Sequence, residues 1–180
     1  MKKSYRRLRR RPLFTPVWLS LLGGIAFLLA CSWVWNSLGT TTAILVRHAE
    51  TDGVGPERQL SAEGLRRATM LAEMLKDVPL TAIYVTELPR TRATGEAVAT
   101  TTGAELIEVP AADTGKLARL LKGRKDQVVL VIGHSNTLPD LVARLGGPPI
   151  SLDESDHTQL LVLTTGWLER TRILALRYGP

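Results

Sequence analysis

Leu45-Val46-Arg47-His48-Ala49-Glu50-Thr51 is the stretch on which the fold turns. It ends a short apolar, β-prone run over residues 43–46 and passes at once into charged residues. Two further stretches repeat the pattern. Thr86-Glu87-Leu88-Pro89-Arg90 follows an apolar run over 81–85, and Gly133-His134-Ser135-Asn136 follows one over 128–132. In open α/β sheets, ligands bind outside the carboxyl ends of the strands. Three such ends would bring two histidines and two arginines into one crevice.

The segments between these strands read as helices. Ser61 suits the N-cap of a helix running to about residue 76, with Leu65, Ala68, Ala72 and Leu75 on one face. Pro89 suits the first turn of a helix that continues to about residue 100. A strand is expected over 105–109. Asp113 or Thr114 then caps a helix through Leu117, Leu120 and Leu121 to Gly123. The run over 128–132 is apolar throughout, as a strand buried on both faces requires. A short helix over 137–145 is stopped by Gly146-Gly147-Pro148-Pro149. Residues 159–164 and 170–178 flank Gly166-Trp167 and read as a closing hairpin. Strands alternating with helices predict an α/β three-layer sandwich around a mostly parallel sheet.

The amino-terminal segment is of another kind. The first eleven residues include Lys2, Lys3, Arg6, Arg7, Arg9, Arg10 and Arg11 and no acid, and residues 17–35 carry no charge. Nineteen residues at a rise of about 1.5 Å nearly cross a hydrocarbon core of about 30 Å. Trp18, Trp33 and Trp35 lie near the ends of the run, where interfacial aromatics belong. The expected organisation is a basic, membrane-spanning segment over 1–39 and a catalytic domain over 40–180. The basic flank predicts a cytoplasmic amino terminus, with the domain periplasmic or otherwise extracytoplasmic. A cleaved signal is the competing reading. Leu28-Leu29-Ala30-Cys31 also resembles a lipoprotein box, with Cys31 as the lipidated residue. Cys31 is the only cysteine, so no disulfide forms within the chain. The formal charge is +6, and the tail's seven cations leave about −1 for the rest. The basic pI therefore reports membrane lipid as a partner, not nucleic acid.

The crevice residues suit phosphoryl transfer. A phosphate monoester carries nearly two negative charges, and imidazole attacks its phosphorus only when those charges are neutralised and the nucleophile is aimed. Arg47 and Arg90 offer paired donors to the oxygens. His134 adds a donor or stabilises developing charge. His48, directly after the first strand, is the natural nucleophile. The covalent phosphohistidine is then hydrolysed by water, and neither metal nor cofactor is needed. The third histidine, His157, lies in Asp153-Glu154-Ser155-Asp156-His157 and reads as a solvated loop residue, with substrate contact as the alternative.

These residues resemble a known family. Residues 45–51 are similar to the Arg-His-Gly-Glu-Thr opening of the histidine phosphatase superfamily, also called phosphoglycerate mutase-like. Thr86-x-Leu88-x-Arg90-x-x-x-Thr94 resembles its Ser-x-Leu-x-Arg-Ala-x-x-Thr segment, Gly133-His134-Ser135 its second histidine motif, and Leu60-Ser61-x-x-Gly64 its Leu-Thr-x-x-Gly turn. The resemblance covers about residues 41–145. It implies that His48 is phosphorylated and that Arg47, Arg90 and His134 form the phosphate pocket, with Thr86 beside them. Ala49 stands where glycine is common, and Thr86 replaces serine but keeps the hydroxyl.

The family's mutase branch and many of its phosphatase branches place an acid between the second arginine and the second histidine. Glu96, Glu105, Glu108 and Asp113 lie in that interval, and Asp113 is the candidate, with a helix-capping role as its alternative. Without an acid, substrates with better leaving groups are favoured, phosphohistidine among them. The interval is too short for the insertion that shapes a mutase site. The expectation is a membrane-anchored, metal-independent phosphatase acting on a phosphomonoester or phosphoprotein. A non-catalytic phosphate-recognising module of the same fold is the alternative.

Overall fold

The computed structural model of the 180-residue chain describes residues 17–37, 39–166 and 170–179. The basic cluster before residue 12 and Trp167 of the expected hairpin turn lie outside the described residues. The chain divides into two compact units at Ser37 and Leu38. The first contains helix α1 (Val17–Ser37). Residues 17–34 have a mean hydropathy of 2.0 and none of their side chains is buried. The helix is long and apolar enough to cross a membrane, a property shared by anchors and signal sequences.

The second unit runs β1 (Thr40–Arg47), α2 (Ala62–Leu75), β2 (Leu80–Val85), α3 (Pro89–Thr102), β3 (Glu105–Glu108), α4 (Thr114–Gly123), β4 (Val128–Gly133), α5 (Thr137–Arg144), β5 (Gln159–Gly166) and β6 (Arg172–Arg177). The sheet order is β3-β2-β4-β1-β5-β6. The first four strands in that order are parallel, and β5 and β6 close the sheet as an antiparallel hairpin on the far side of β1. The two-residue strand period sorts the core into two layers. Ala43, Leu45, Tyr84, Val129 and Val131 pack with Leu121, Leu138 and Leu141 of α4 and α5. Ile44, Val46, Ile83, Leu130 and Ile132 pack with Leu71, Leu75 and Val98 of α2 and α3. The three-layer, mostly parallel α/β architecture read from the sequence is the one observed.

Ser61 caps α2, its side chain accepting from the Gly64 N–H at 3.0 Å. The buried face of α2 differs from expectation. Leu65 is 56% exposed, and the buried stripe is Gly64, Arg67, Ala68, Leu71, Ala72 and Leu75. The helix phase is set by Gly64, where any Cβ would overlap the Glu50 carbonyl oxygen. That close approach turns Leu65 outward. Gly103 ends α3 in the left-handed conformation, at φ 72°, which a glycine adopts without steric cost.

Candidate active site

The parallel core delivers Arg47 and His48 at the end of β1, Thr86 just after β2, and His134 just after β4. The His48 N–H donates to the Gly133 carbonyl at 3.1 Å, so the β1–β4 pairing continues one residue past the strand. Arg90 enters from the first turn of α3, directly after Pro89. Thr94, one turn later, accepts from the Ala49 N–H at 3.2 Å and donates to the Arg90 carbonyl at 2.8 Å. This hydroxyl staples α3 to the turn carrying the nucleophile candidate. Ala49 is fully buried there.

His48, Arg90 and His134 are 1%, 8% and 7% exposed. The two rings lie 5.3 Å apart between centroids. Arg47, His48, Arg90 and His134 line one crevice with Arg58, Glu154 and residues 135–137. The structure thus brings together the four residues singled out from the sequence, with Thr86 behind them.

Hydrogen bonding assigns the tautomers. His48 Nδ1 lies 2.8 Å from the Ala49 carbonyl. A carbonyl only accepts, so Nδ1 carries the proton and Nε2 keeps its lone pair. Thr91 Oγ1 lies 2.8 Å from the Leu88 carbonyl and 3.1 Å from the Thr86 carbonyl, which take its proton. Thr86 Oγ1, 2.7 Å from Thr91 Oγ1, must then donate to it. Its lone pair is left for His134 Nε2 at 3.2 Å, which therefore bears a proton.

Burial lowers the His48 pKa to about 3, with Arg47, His134 and Arg90 adding to the shift and the Ala49 carbonyl opposing it. Burial also lowers His134 to about 4, assisted by Arg90 and opposed by Glu87. Both rings are neutral at pH 7 in the free protein. Burial pushes Arg47 and Arg90 down as well, and Arg58 contributes to both shifts.

The guanidiniums are only partly satisfied. Arg47 donates through Nη1 to the carbonyls of Asp153 and Glu154, and Arg90 through Nη1 to the Pro56 carbonyl at 3.0 Å. The Nε atoms of Arg47, Arg58 and Arg90 are buried without a hydrogen-bond partner among the described residues. Arg58 was missed in the sequence because it belongs to no strand-end motif. The available signal was a cation between the first histidine motif and the Ser61 cap.

Asp113 is placed elsewhere. It caps α4, its carboxylate accepting from the Lys116 N–H at 2.8 Å, and it does not line the crevice. Its capping alternative describes what the structure shows. Glu108 pairs with Arg92. The carboxylate that does line the crevice is Glu154, which follows His134 in the chain. His157 is not a solvated loop residue. It is half-buried, its Nδ1 lies 2.7 Å from the His48 carbonyl, and its ring centroid is 5.5 Å from that of His48. Behind the turn, Arg67 pairs with Glu50 at 2.6 Å and donates to the Tyr178 carbonyl at 3.3 Å.

The family model described as histidine phosphatase superfamily (branch 1) matches residues 43–113. No curated protein sequence matches the chain significantly. Several solved structures share the fold. The protein histidine phosphatase SixA complexed with tungstate is 20% identical, with a TM-score of 0.62 over 76% of this chain and 96% of its own. A mycobacterial glucosyl-3-phosphoglycerate phosphatase is 16% identical, with a TM-score of 0.63 over 78% and 100%. A phosphoglycerate mutase from Plasmodium falciparum is 19% identical, with a TM-score of 0.59 over 79% and 95%. With its motifs in order at the strand ends, the chain is similar to the histidine phosphatase superfamily over residues 43–113 and shares its fold with solved histidine phosphatases.

Proposed function

We propose that the crevice hydrolyses a phosphomonoester or phosphoprotein through a phosphohistidine formed on Nε2 of His48. The observation that carries this reading is the convergence of Arg47, Arg58 and Arg90 with the neutral His48 imidazole on one crevice. Clustered guanidiniums call for anionic acceptors. A tetrahedral oxyanion supplies several. The similar SixA structure holds tungstate, an oxyanion of that shape.

The Nε2 lone pair attacks phosphorus, and the bond to the leaving group breaks with its electron pair. The Ala49 carbonyl steadies the positive charge that grows on the ring through Nδ1–H. A bound dianion reverses the field that Arg90 and Arg47 impose on His134. His134 then takes a proton on Nδ1 and donates it toward the phosphoryl or departing group. Water attacks the phosphohistidine, the P–N bond breaks, and inorganic phosphate leaves with His48 restored.

Glu154, not a carboxylate from the expected interval, stands at the crevice. Its carboxylate is exposed, 3.5 Å from Ser135 Oγ. This favours substrates whose leaving group departs with little help, protein phosphohistidine first among them. The second reading makes Glu154 the acid for a phosphomonoester. Rates on a phosphohistidine protein, an aryl phosphate and an alkyl phosphate separate the two. The first reading expects the alkyl ester to be slowest and Glu154→Gln to change the phosphohistidine rate by less than about threefold. Equal rates on all three, lost together in Glu154→Gln, support the second. Phosphate binding without turnover on any substrate would leave the non-catalytic module.

The placement we propose is a single retained span, α1, with a cytoplasmic amino terminus and an exported domain. The basic cluster ahead of the span supports it. Reporter fusions after Gly39 and Pro180 should be active only outside the cytoplasm. Release by alkaline carbonate would replace the retained span with a cleaved signal, and Cys31→Ser tests lipidation.

A further inference from the structure

The end of the sheet opposite His48 carries a second concave site. A cavity of about 420 Å³ is lined by Thr41, Lys122, Lys125, Arg144, Arg170 and Thr171, with Gly39 and Gly166 at the strand ends. Among the described residues, its lining includes four cations and no carboxylate. Thr40 pairs with Gly166 where β1 begins and β5 ends. At about 3.3 Å per residue, β1 separates this cavity from His48 by roughly 25 Å. No step of the phosphatase chemistry uses it.

The ordinary account of such cations is that they complement helix carboxyl termini. It covers Lys122 and Arg144, in the last turns of α4 and α5, but not Lys125 and Arg170, which lie outside helices. The helix-end carbonyls are also satisfied without them. Thr41 Oγ1 lies 3.1 Å from the Leu121 carbonyl and 2.7 Å from that of Arg124. Thr171 Oγ1 donates to the Leu145 carbonyl, and the Gly146 and Gly147 N–H groups take those of Ala143 and Val142. Arg144 Nε is held by Asp140 at 2.8 Å, and Asp126 accepts from the Thr40 N–H at 3.2 Å. Neither acid is in the lining, and although Asp126 lies beside Gly39, cations outnumber carboxylates there among the described residues.

We propose that this cavity binds the phosphate of an anionic phospholipid headgroup in the membrane that holds α1. The inference rests on the anchored reading of α1. Gly39 lines the cavity and follows the last helical residue, Ser37, by two positions. Two residues reach at most about 7 Å. Chain connectivity alone therefore keeps Gly39, at the cavity's edge, within that reach of the last helical residue. Clustered cations beside a span recognise anionic lipid in this way.

The test uses the purified full-length chain in non-ionic detergent. Its thermal midpoint is followed with dioctanoyl phosphatidylglycerol, dioctanoyl phosphatidylcholine or inorganic phosphate. The anionic lipid should raise the midpoint by about 3 °C at ten times its half-saturating concentration, and the zwitterionic lipid should not. Lys122→Gln/Lys125→Gln/Arg170→Gln should abolish that rise. The variant should keep its aryl phosphatase rate, which certifies its fold, and its response to inorganic phosphate. No rise in the native protein, or an equal rise in the variant, overturns the proposal. A phosphate response that falls in the variant, without any response to the lipid, would assign the cavity to a soluble anion and overturn the lipid. Carbonate extraction scores the anchor separately, so the two failures are told apart.

Discussion

At the carboxyl end of β1 the cations are arginines folded into the protein, whereas at its amino end they are lysines and arginines that reach into solvent. Arg90 is buried and Arg47 half-buried, and each is held in place by backbone carbonyls. Lys122, Lys125, Arg144 and Arg170 are exposed. A fixed planar fork selects an oxyanion by shape, and a flexible exposed ammonium selects it by charge alone. Salt screens the second far more than the first. The buried end also lowers the pKa of the imidazoles between its arginines, and so leaves each ring a free lone pair at pH 7. The exposed end holds no such group. On the proposed readings, charge alone suits binding, and burial of the same charge suits chemistry.

The largest expected effect lies at the buried end. His48→Ala should lower kcat by a factor on the order of 10⁴ or more, as loss of a nucleophile does. Rapid quenching with labelled substrate should trap acid-labile, base-stable label in the native chain, and label surviving in the variant would remove His48 from the mechanism. Arg90→Ala and His134→Ala should each cost about 3 kcal/mol of transition-state stabilisation, roughly 10²-fold in kcat/KM. Arg58→Ala removes one charged donor from a loop and should cost about 1.5–3 kcal/mol in the same measurement. A value near zero would make Arg58 a bystander.

A smaller effect should appear in stability. Both buried histidines have pKa values depressed from 6.5, to about 3 and about 4. The unfolded chain binds protons below pH 6.5 while the native chain does not, so native stability falls as pH drops from about 6.5 toward 4. Each ring contributes a limiting slope of about 1.4 kcal/mol per pH unit. Urea unfolding of His48→Asn and His134→Asn between pH 7 and 4.5 should show shallower slopes. Parallel curves would mean that the rings charge freely in the native state. The smallest effect is expected at the exposed end, where Lys122→Gln/Lys125→Gln/Arg170→Gln should leave kcat/KM on an aryl phosphate within about twofold. A tenfold loss would couple the two ends and break the contrast.

Most of the fold was legible because local chemistry and tertiary structure agree. Residues 128–132 are apolar on both faces and form the central strand, and Ser61, Pro89 and Asp113 stand at the helix starts their chemistry favours. The crevice residues were legible because each follows such a strand or opens the helix after it. What escaped depends on contacts far away in sequence. Leu65 faces out because Gly64 must press on Glu50. His157 reads as a polar loop residue, yet its partner is a carbonyl 109 positions earlier. Arg58 and Glu154 sit on loops whose course no periodicity encodes. Asp113 presented two roles, and only its bond to Lys116 shows which one the structure uses.

The link from Arg67 to Glu50 and the Tyr178 carbonyl has a consequence in time. Glu50 lies two residues from His48, and its buried cationic partner takes its second bond from the last strand's exit. The hairpin of β5 and β6 also covers the open edge of β1. The turn that aims His48 is therefore completed by residues that come much later in the chain. Until β6 docks, the leading part of the domain carries His48 without part of the frame that orients it. The aim of His48 therefore waits on the docking of β6.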